Sequence, residues 1–296
     1  MPYRPFVNSS AVFGSQTRAA PAKLNLGLHV LRKRPDGYHD LETVFVPLHW
    51  ADRLDAAPAG ALSLTCSDPA LPTDDGNLVV RAARALAAWA GVEPRARLVL
   101  DKRTPYGAGL GSGSSDAAAA LRLLAEVWEL DVPEAEMHRL AARLGSDVPF
   151  FLLDAPAVAT GRGERLAPLL RPDGTPWRCP FSLVVAVPPV HLSTAEAYRG
   201  VVPNDSDRPD LAAAVVSDNL GRWRREVVND FEATVVAGHP AVGAARDALV
   251  AAGAGYAALS GSGSAVFGAF EDEPRAAAAA ARLGEQGCRT WVERPV

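Results

Sequence analysis

Leu24, Leu26, Leu28 and Val30 alternate with Lys23, Asn25, Gly27 and His29. A period of two predicts a strand over Ala22–Leu31, with one apolar face and with Lys23 and Asn25 together on the other. The following RKRPDGYHD carries a Pro-Asp-Gly turn signal. A second apolar run, Leu41–Leu48, completes a long hairpin with Tyr38 and His39 near its turn. Over 77–90 the period lengthens, and Leu78, Ala82, Leu86 and Trp89 share one helical face that Gly91 brings to an end. A short strand, Arg97–Asp101, leads through a glycine-rich stretch into a helix whose buried face is marked by Ala117, Leu121, Leu124 and Trp128. A further helix, Glu134–Leu144, stops at Gly145, ahead of SDVPFFL.

The proline-rich passage 168–180 (PLLRPDGTPWRCP) breaks the pattern and marks a boundary, giving units 1–170 and 171–296. Beyond it the pattern predicts a strand (Ser182–Val187), a helix from Thr194, a helix near Pro240–Ala251, strands Tyr256–Ser260 and Ala265–Phe270, a helix Pro274–Leu283 and a strand Thr290–Glu293. Segment 200–230 is polar, with helical pieces that the pattern does not place. This order fits an α+β chain, a mixed α/β unit followed by helices on a mostly antiparallel sheet.

Composition adds little to this but excludes much. At roughly 100–200 residues per domain, 296 residues with 48% hydrophobic content suit two domains. A net charge of -4 argues against a protein that coats nucleic acid or an anionic membrane. A polyanionic ligand would have to be held by a few local cations and backbone N–H groups. Cys66, Cys179 and Cys288 match no zinc or redox spacing, and so sparse and odd a set suits a reducing compartment. The N-terminus lacks the apolar core of a signal peptide, residues 1–18 read as a loose leader, and no apolar run approaches the ~20 residues that span a bilayer. The expectation is a cytoplasmic protein with no membrane or nucleic-acid partner.

The sharpest chemical signal is Pro105–Ser115, with glycines at 107, 109, 111 and 113 and then Ser114 and Ser115 at a helix start. Residues without a Cβ let the chain fold tightly and bring N–H groups against an anion. A helix N-terminus adds about half a positive charge. A flexible turn with serine caps is the plainer alternative. The loop lacks the Gly-Lys-Ser/Thr of a P-loop and fails G-x-G-x-x-G in every register. A second cluster, Ser260–Ser264, is a hairpin loop or a backbone surface facing that phosphate site. Asp147, taken alone, caps the helix that Pro149 begins. As a general base it would accept a hydroxyl proton in phosphoryl transfer. Lys23 alone is a solvated strand lysine, and Tyr38 and His39 alone are turn residues.

Together these segments resemble the GHMP kinases. The middle signature of that family is matched by Pro105-Tyr-Gly-Ala-Gly-Leu-Gly-Ser-Gly-Ser-Ser115. AKLNLGL, RPDGYHDLETVF, NLVVRAARAL, GSDVPFF, STAEAYR, NDFE and SGSGSAVFG follow in the family's order, spread between residues 22 and 268. The likeness is greatest to members whose acceptor is a cytidine-diphosphate-linked methylerythritol of the non-mevalonate isoprenoid precursor pathway. It implies a two-domain GHMP kinase fold with a ferredoxin-like C-terminal sheet, a cleft between the domains, and transfer of the ATP γ-phosphate to the acceptor's 2-hydroxyl. It implies Asp147 as base and Lys23 as its partner.

By the same resemblance Asn25, Tyr38, His39, Phe45, Thr194 and Tyr198 enclose the cytidine and its diphosphate. Tyr38 and Tyr198 sandwich the base, and His39 reads its edge. Asn77, Lys102, Pro105, Gly107, Ala108, Gly109, Leu110, Gly111, Ser112, Gly113, Ser114 and Ser115 fall on the ATP side. Mg²⁺ is implied without an assignable protein ligand, and the chain is expected to act as a monomer or weak homodimer. Ala108 and Ser112 stand where the family often has glycine, and Asp116 adds a negative charge beside the phosphate site. The rivals are another GHMP kinase, of mevalonate or homoserine type, and a non-catalytic nucleotide-binding protein on the same fold.

Overall fold

The computed structural model describes residues 15–295. The expected leader lies outside the described residues as far as residue 14, and Gln16–Arg18 already belong to the first strand. Strands β1 (Gln16–Lys33) and β2 (His39–Pro58) form one long antiparallel hairpin, well beyond the predicted limits. The added length comes from polar pairings such as Thr17 opposite Asp55, which carry no apolar period to reveal them.

The single apolar face predicted for β1 is corrected. Lys23, Asn25 and His29 are as buried as the leucines, because both faces of the strand are covered. At Gly27 the backbone takes φ +71° and the register slips between Leu26 and Leu28. Leu24 and Leu26 therefore pack with Trp177 and Trp223, while Leu28 and Val30 pack with Val184 and Phe231. One bulge divides a single leucine row between two cores.

Four short strands complete the first sheet: β3 (Ser63–Cys66), β4 (Ala96–Asp101), β5 (Ala157–Gly161) and β6 (Arg165–Pro168). The order is β3-β4-β2-β5-β6 with β1 on β2, and only β3–β4 is parallel. Helices α1 (Leu78–Ala90), α2 (Ser112–Val127) and α3 (Glu134–Leu144) share an apolar core with this sheet, α2 contributing Ala117, Leu121 and Leu124. Gly91, at φ +67°, ends α1 as expected. Trp89, assigned to the buried face of α1, is instead 38% exposed.

The second sheet has the order β10-β7-β9-β8, antiparallel throughout, from β7 (Ser182–Val187), β8 (Tyr256–Leu259), β9 (Val266–Phe270) and β10 (Arg289–Glu293). Helices α4 (Thr194–Tyr198), α5 (Leu211–Val215), α6 (Leu220–Glu226), α7 (Glu232–Gly238), α8 (Pro240–Ala251) and α9 (Glu273–Glu285) complete the chain. Taking β7, α8, β8, β9, α9 and β10 in order gives the split βαβ arrangement of a ferredoxin-like layer. Along β7, Val184 and Ala186 face α8 and α9, whereas Leu183 and Val185 share a core with α5, α6 and the β1–β2 hairpin. Apolar packing thus joins the second sheet to the first hairpin, and the loops between them meet at a cleft.

Candidate active site

The glycine-rich loop enters α2 through Gly111, whose φ of +68° makes it the N-cap, and no side chain caps the helix. Neither Ser114 nor Ser115 caps the helix, contrary to the plainer expectation. The first intrahelical bond runs from the Ser115 N–H to the Gly111 carbonyl. An uncapped first turn leaves N–H groups free for an anion. Ser112, Gly113 and Ser114 line a cavity of about 510 Å³, together with Gly107, Ala108, Gly109 and Gly111.

Pro105, Leu110 and Ser115 support the loop without lining the cavity. Pro105 and Leu110 are buried, and Ser115 Oγ is buried with no hydrogen-bond partner. The loop rests on the second glycine cluster. The Ala265 N–H donates to the Ala108 carbonyl at 3.0 Å, and Ser260 Oγ donates to the Gly109 carbonyl at 3.2 Å. A Cβ on Gly109, at φ +78°, would run into the Ser260 carbonyl. Ser260–Ser264 is therefore both the turn between β8 and β9 and the floor of the glycine-rich loop.

Lys23 is held from three sides. Its Nζ donates to Asn25 Oδ1 at 2.6 Å and to the Gly109 carbonyl at 2.8 Å, and it stands 3.7 Å from Asp147 Oδ2. Asn25 is fixed in turn, because its Nδ2 donates to Thr43 Oγ1 at 2.9 Å and that hydroxyl donates to the Gly27 carbonyl. Burial pulls the Lys23 pKa below the ordinary lysine value, against the charge and hydrogen bond of Asp147, which favour the ammonium. Asp147 precedes a 3-10 turn, Val148–Leu152, with Pro149 in its first positions, but its side chain caps nothing. It is about one-third exposed and turns toward Lys23 and the cleft. Phe45 lies under the lysine, with the ammonium 5.2 Å from its ring centre.

At the far end of the cleft, Tyr198 and Tyr38 each meet another side chain. Tyr198 stacks on His39, with ring centres 4.7 Å apart and 18° between planes, and meets Phe231 edge-on. Tyr38 is 55% exposed, and the Arg162 guanidinium lies 4.8 Å from its ring centre. Thr194 lines the cleft, with its hydroxyl 3.3 Å from that of Ser262. Burial lowers the His39 pKa and raises that of Tyr198, so neutral rings face each other.

Two further residues expected on the ATP side, Asn77 and Lys102, also lie outside the cavity lining. Asn77 caps α1, its Oδ1 accepting the Val79 N–H and its Nδ2 donating to the Pro72 carbonyl. Lys102 lies beneath the loop, bonded to Asp52, Ser112 and Asp116. Asp52 also accepts the N–H groups of Arg103 and Thr104 and the Thr104 hydroxyl, so donors surround it and keep it ionised below the ordinary carboxylate range. Asp116 has only the lysine, its Oδ1 is buried without a partner, and burial pushes its pKa up to about 7. With two carboxylates sharing one ammonium, the poorly solvated one keeps its proton longer. Asp116 is thus paired with Lys102 and lies outside the cavity lining.

The pattern alone missed three contributors. Arg162 and His191 line the cleft, and Asn229 ties down the second glycine turn by donating to the carbonyls of Leu259 and Gly261. Asn229 opens the NDFE segment, whose Glu232 accepts the Leu259 N–H. Its signal was a short polar run inside the segment that the pattern could not place.

An uncapped helix start on glycine turns, a buried lysine and a cleft-facing aspartate define a phosphoryl-transfer site of the GHMP type. Residues 77–155 match the model for the GHMP kinases N terminal domain and residues 211–287 that for the GHMP kinases C terminal. The chain is 54% identical to 4-diphosphocytidyl-2-C-methyl-D-erythritol kinase of Salinibacter ruber, over 92% of this chain and 96% of that one. It is 44% identical to the kinase of the same name from Chloroherpeton thalassium, over 89% and 92%. A crystal structure of 4-(cytidine 5'-diphospho)-2C-methyl-D-erythritol kinase superposes with TM-score 0.77 at 37% identity, covering 94% of this chain and 98% of that one. The mevalonate kinase of Methanococcus jannaschii superposes at TM-score 0.69 with 10% identity, over 96% and 99% of the two chains, and shares the fold alone. The chain belongs to the 4-diphosphocytidyl-2-C-methyl-D-erythritol kinase family. Among the described residues no helix is long and apolar enough to cross a membrane.

Proposed function

We propose that this kinase transfers the γ-phosphate of ATP to the 2-hydroxyl of 4-diphosphocytidyl-2-C-methyl-D-erythritol, in the non-mevalonate route to isoprenoid precursors. The observation that carries this reading is the meeting of Asp147, Lys23 and the uncapped start of α2 on one cavity wall. The donor's phosphates lie on the N–H groups of Ser112–Ser114, where the helix dipole favours negative charge. Asp147 takes the proton of the acceptor hydroxyl as that oxygen bonds to the γ-phosphorus and the bond to ADP breaks. Lys23 holds the attacking oxygen and offsets the charge that develops there. Asn25 and Thr43 keep Lys23 in place.

The acceptor's base belongs with Tyr38, His39 and Tyr198, its stacking on Tyr198 requiring His39 to move from ring face to base edge. Mg²⁺ bound with ATP would neutralise phosphate charge. Such an ion keeps several waters and takes few protein oxygens. The loop offers the Ser114 hydroxyl on the cavity wall and the unpartnered Ser115 Oγ behind it.

The division at residue 170 belongs to the same reading, supported by each sheet drawing all its strands from one side of that point. So does a cytoplasmic monomer or weak homodimer, supported as to compartment by three free thiols. An ADP-release assay tests the function. Turnover is expected with the cytidine-linked acceptor and not with mevalonate or homoserine, and the reverse preference would overturn it.

A further inference from the structure

Arg162 sits on the turn joining β5 to β6, between Gly161 at φ +71° and Gly163 at φ +109°. The turn is held by the Arg162 N–H donating to Glu164 Oε2 at 2.6 Å and by the Gly163 N–H donating to the Thr160 carbonyl at 3.1 Å. A Cβ on Gly163 would lie 3.5 Å from Asp147 Oδ1, so the turn's backbone adjoins the proposed base. The Arg162 guanidinium lies over Tyr38, at the opposite end of the acceptor's path. The turn therefore reaches from Asp147, beside Gly163, to Tyr38, beneath the Arg162 guanidinium.

Lys23 and Arg162 are the Lys and Arg side chains among the described lining residues of the cavity. Lys23 is committed to Asn25, Gly109 and Asp147. Arg162 forms no ion pair and no side-chain hydrogen bond among the described residues. Asp36, which feels its charge, is bonded to Arg34. A half-buried guanidinium with its donors unspent suits a phosphate group, which it grips through two parallel N–H bonds.

We propose that Arg162 is a specificity-determining residue that binds the diphosphate of the acceptor, with Tyr38 supporting the guanidinium plane. This rests on the proposed function, in which the diphosphate must run between a hydroxyl at Asp147 and a base at Tyr38, His39 and Tyr198. Arg162 thus reads the phosphates that separate this acceptor from a simple alcohol.

The test compares cytidine 5'-diphosphate with cytidine, by calorimetry, on the wild type, Arg162→Ala and Arg162→Lys, alongside acceptor and ATP kinetics. The wild type should bind the diphosphate at least about tenfold more tightly than the nucleoside, as a charge-assisted pair warrants. Arg162→Ala should close most of that gap and raise the acceptor KM about 10- to 100-fold, leaving the KM for ATP and the melting temperature unchanged. Arg162→Lys should restore part of the loss. An unchanged gap in Arg162→Ala, or a KM for ATP rising in step, overturns the assignment while leaving the proposed function standing. Failure of the wild type to bind either cytidine ligand or to turn over the acceptor brings down the proposed function, and this inference with it.

Discussion

Lys23 Nζ stands 3.7 Å from Asp147 Oδ2, a buried ammonium facing a carboxylate that opens to the cleft. The first comes from the hairpin that underlies the domain and the second from the turn after α3. Their meeting beside the glycine-rich loop gives the cavity a carboxylate and a buried ammonium in one place.

Replacing Asp147 by Asn removes the proposed acceptor of the proton and leaves the volume nearly unchanged. The expected outcome is a fall in kcat of about 10²–10⁴-fold, with KM values for both substrates within a few-fold of wild type. Steady-state kinetics on the folded variant checks it, and near-normal turnover would remove Asp147 from the proton transfer.

Gly109 is the position where the two glycine turns meet, and Gly109→Ala forces a Cβ into the Ser260 carbonyl at a positive φ. A strained backbone of this kind costs on the order of 1–3 kcal/mol before any displacement of the loop. The melting temperature should fall by several degrees, and ATP affinity should fall with it. Gly113→Ala is the control. Its Cβ would meet the Tyr106 ring at 3.4 Å, an ordinary contact, so its melting temperature should match wild type.

The Asp52–Lys102–Asp116 cluster makes stability depend on pH with a definite sign. Asp116 has its folded pKa raised from 3.8 to about 7, so the folded state holds this proton longer than the unfolded chain does. Its contribution is full below 3.8 and is lost as pH rises through about 7. Asp52 acts oppositely, since its lowered pKa gives stability that is lost in acid. Asp116→Asn should therefore gain on wild type in urea unfolding more at about pH 8 than at about pH 5. The same difference at both would contradict a raised Asp116. Cys66, which feels both Lys102 and Asp116, should be followed for alkylation as a check that the variant stays folded.

Tyr198→Ala removes the ring proposed to stack on the base. Stacking worth roughly 1–3 kcal/mol predicts an acceptor KM raised about 5- to 150-fold, with the KM for ATP unmoved. Equal effects on both substrates would place Tyr198 in the framework rather than the base pocket.

Much of this was legible in the sequence where a long period or a glycine requirement was at work. Helices α1, α3 and α9 and strands β7 to β9 follow directly from spacing, and the loop's glycines announce the turns they make. The alternation in β1 was visible, but the bulge at Gly27 that splits its leucines was not, because a period says nothing of register. Lys23 read as a solvated lysine, since its burial comes from the distant glycine-rich loop, where Gly111 lies against its stem and the Gly109 carbonyl accepts from its ammonium. Asn77 and Lys102 carried the right chemistry for a nucleotide, yet local demand took them first, one for a helix cap and the other for two carboxylates. Arg162 went unnoticed because β5 and β6 are too short to stand out, so the turn between them had no frame.

Phosphoryl transfer from ATP to one hydroxyl of a cytidine-linked alcohol can be followed at the phosphorus itself. ATP labelled at the γ-phosphate is incubated with 4-diphosphocytidyl-2-C-methyl-D-erythritol and the enzyme, and the product is read by phosphorus NMR. A new phosphomonoester is expected on the oxygen of carbon 2, formed in step with ADP and about 10²–10⁴-fold more slowly in Asp147→Asn. Label appearing only as inorganic phosphate, or on another hydroxyl, would contradict it.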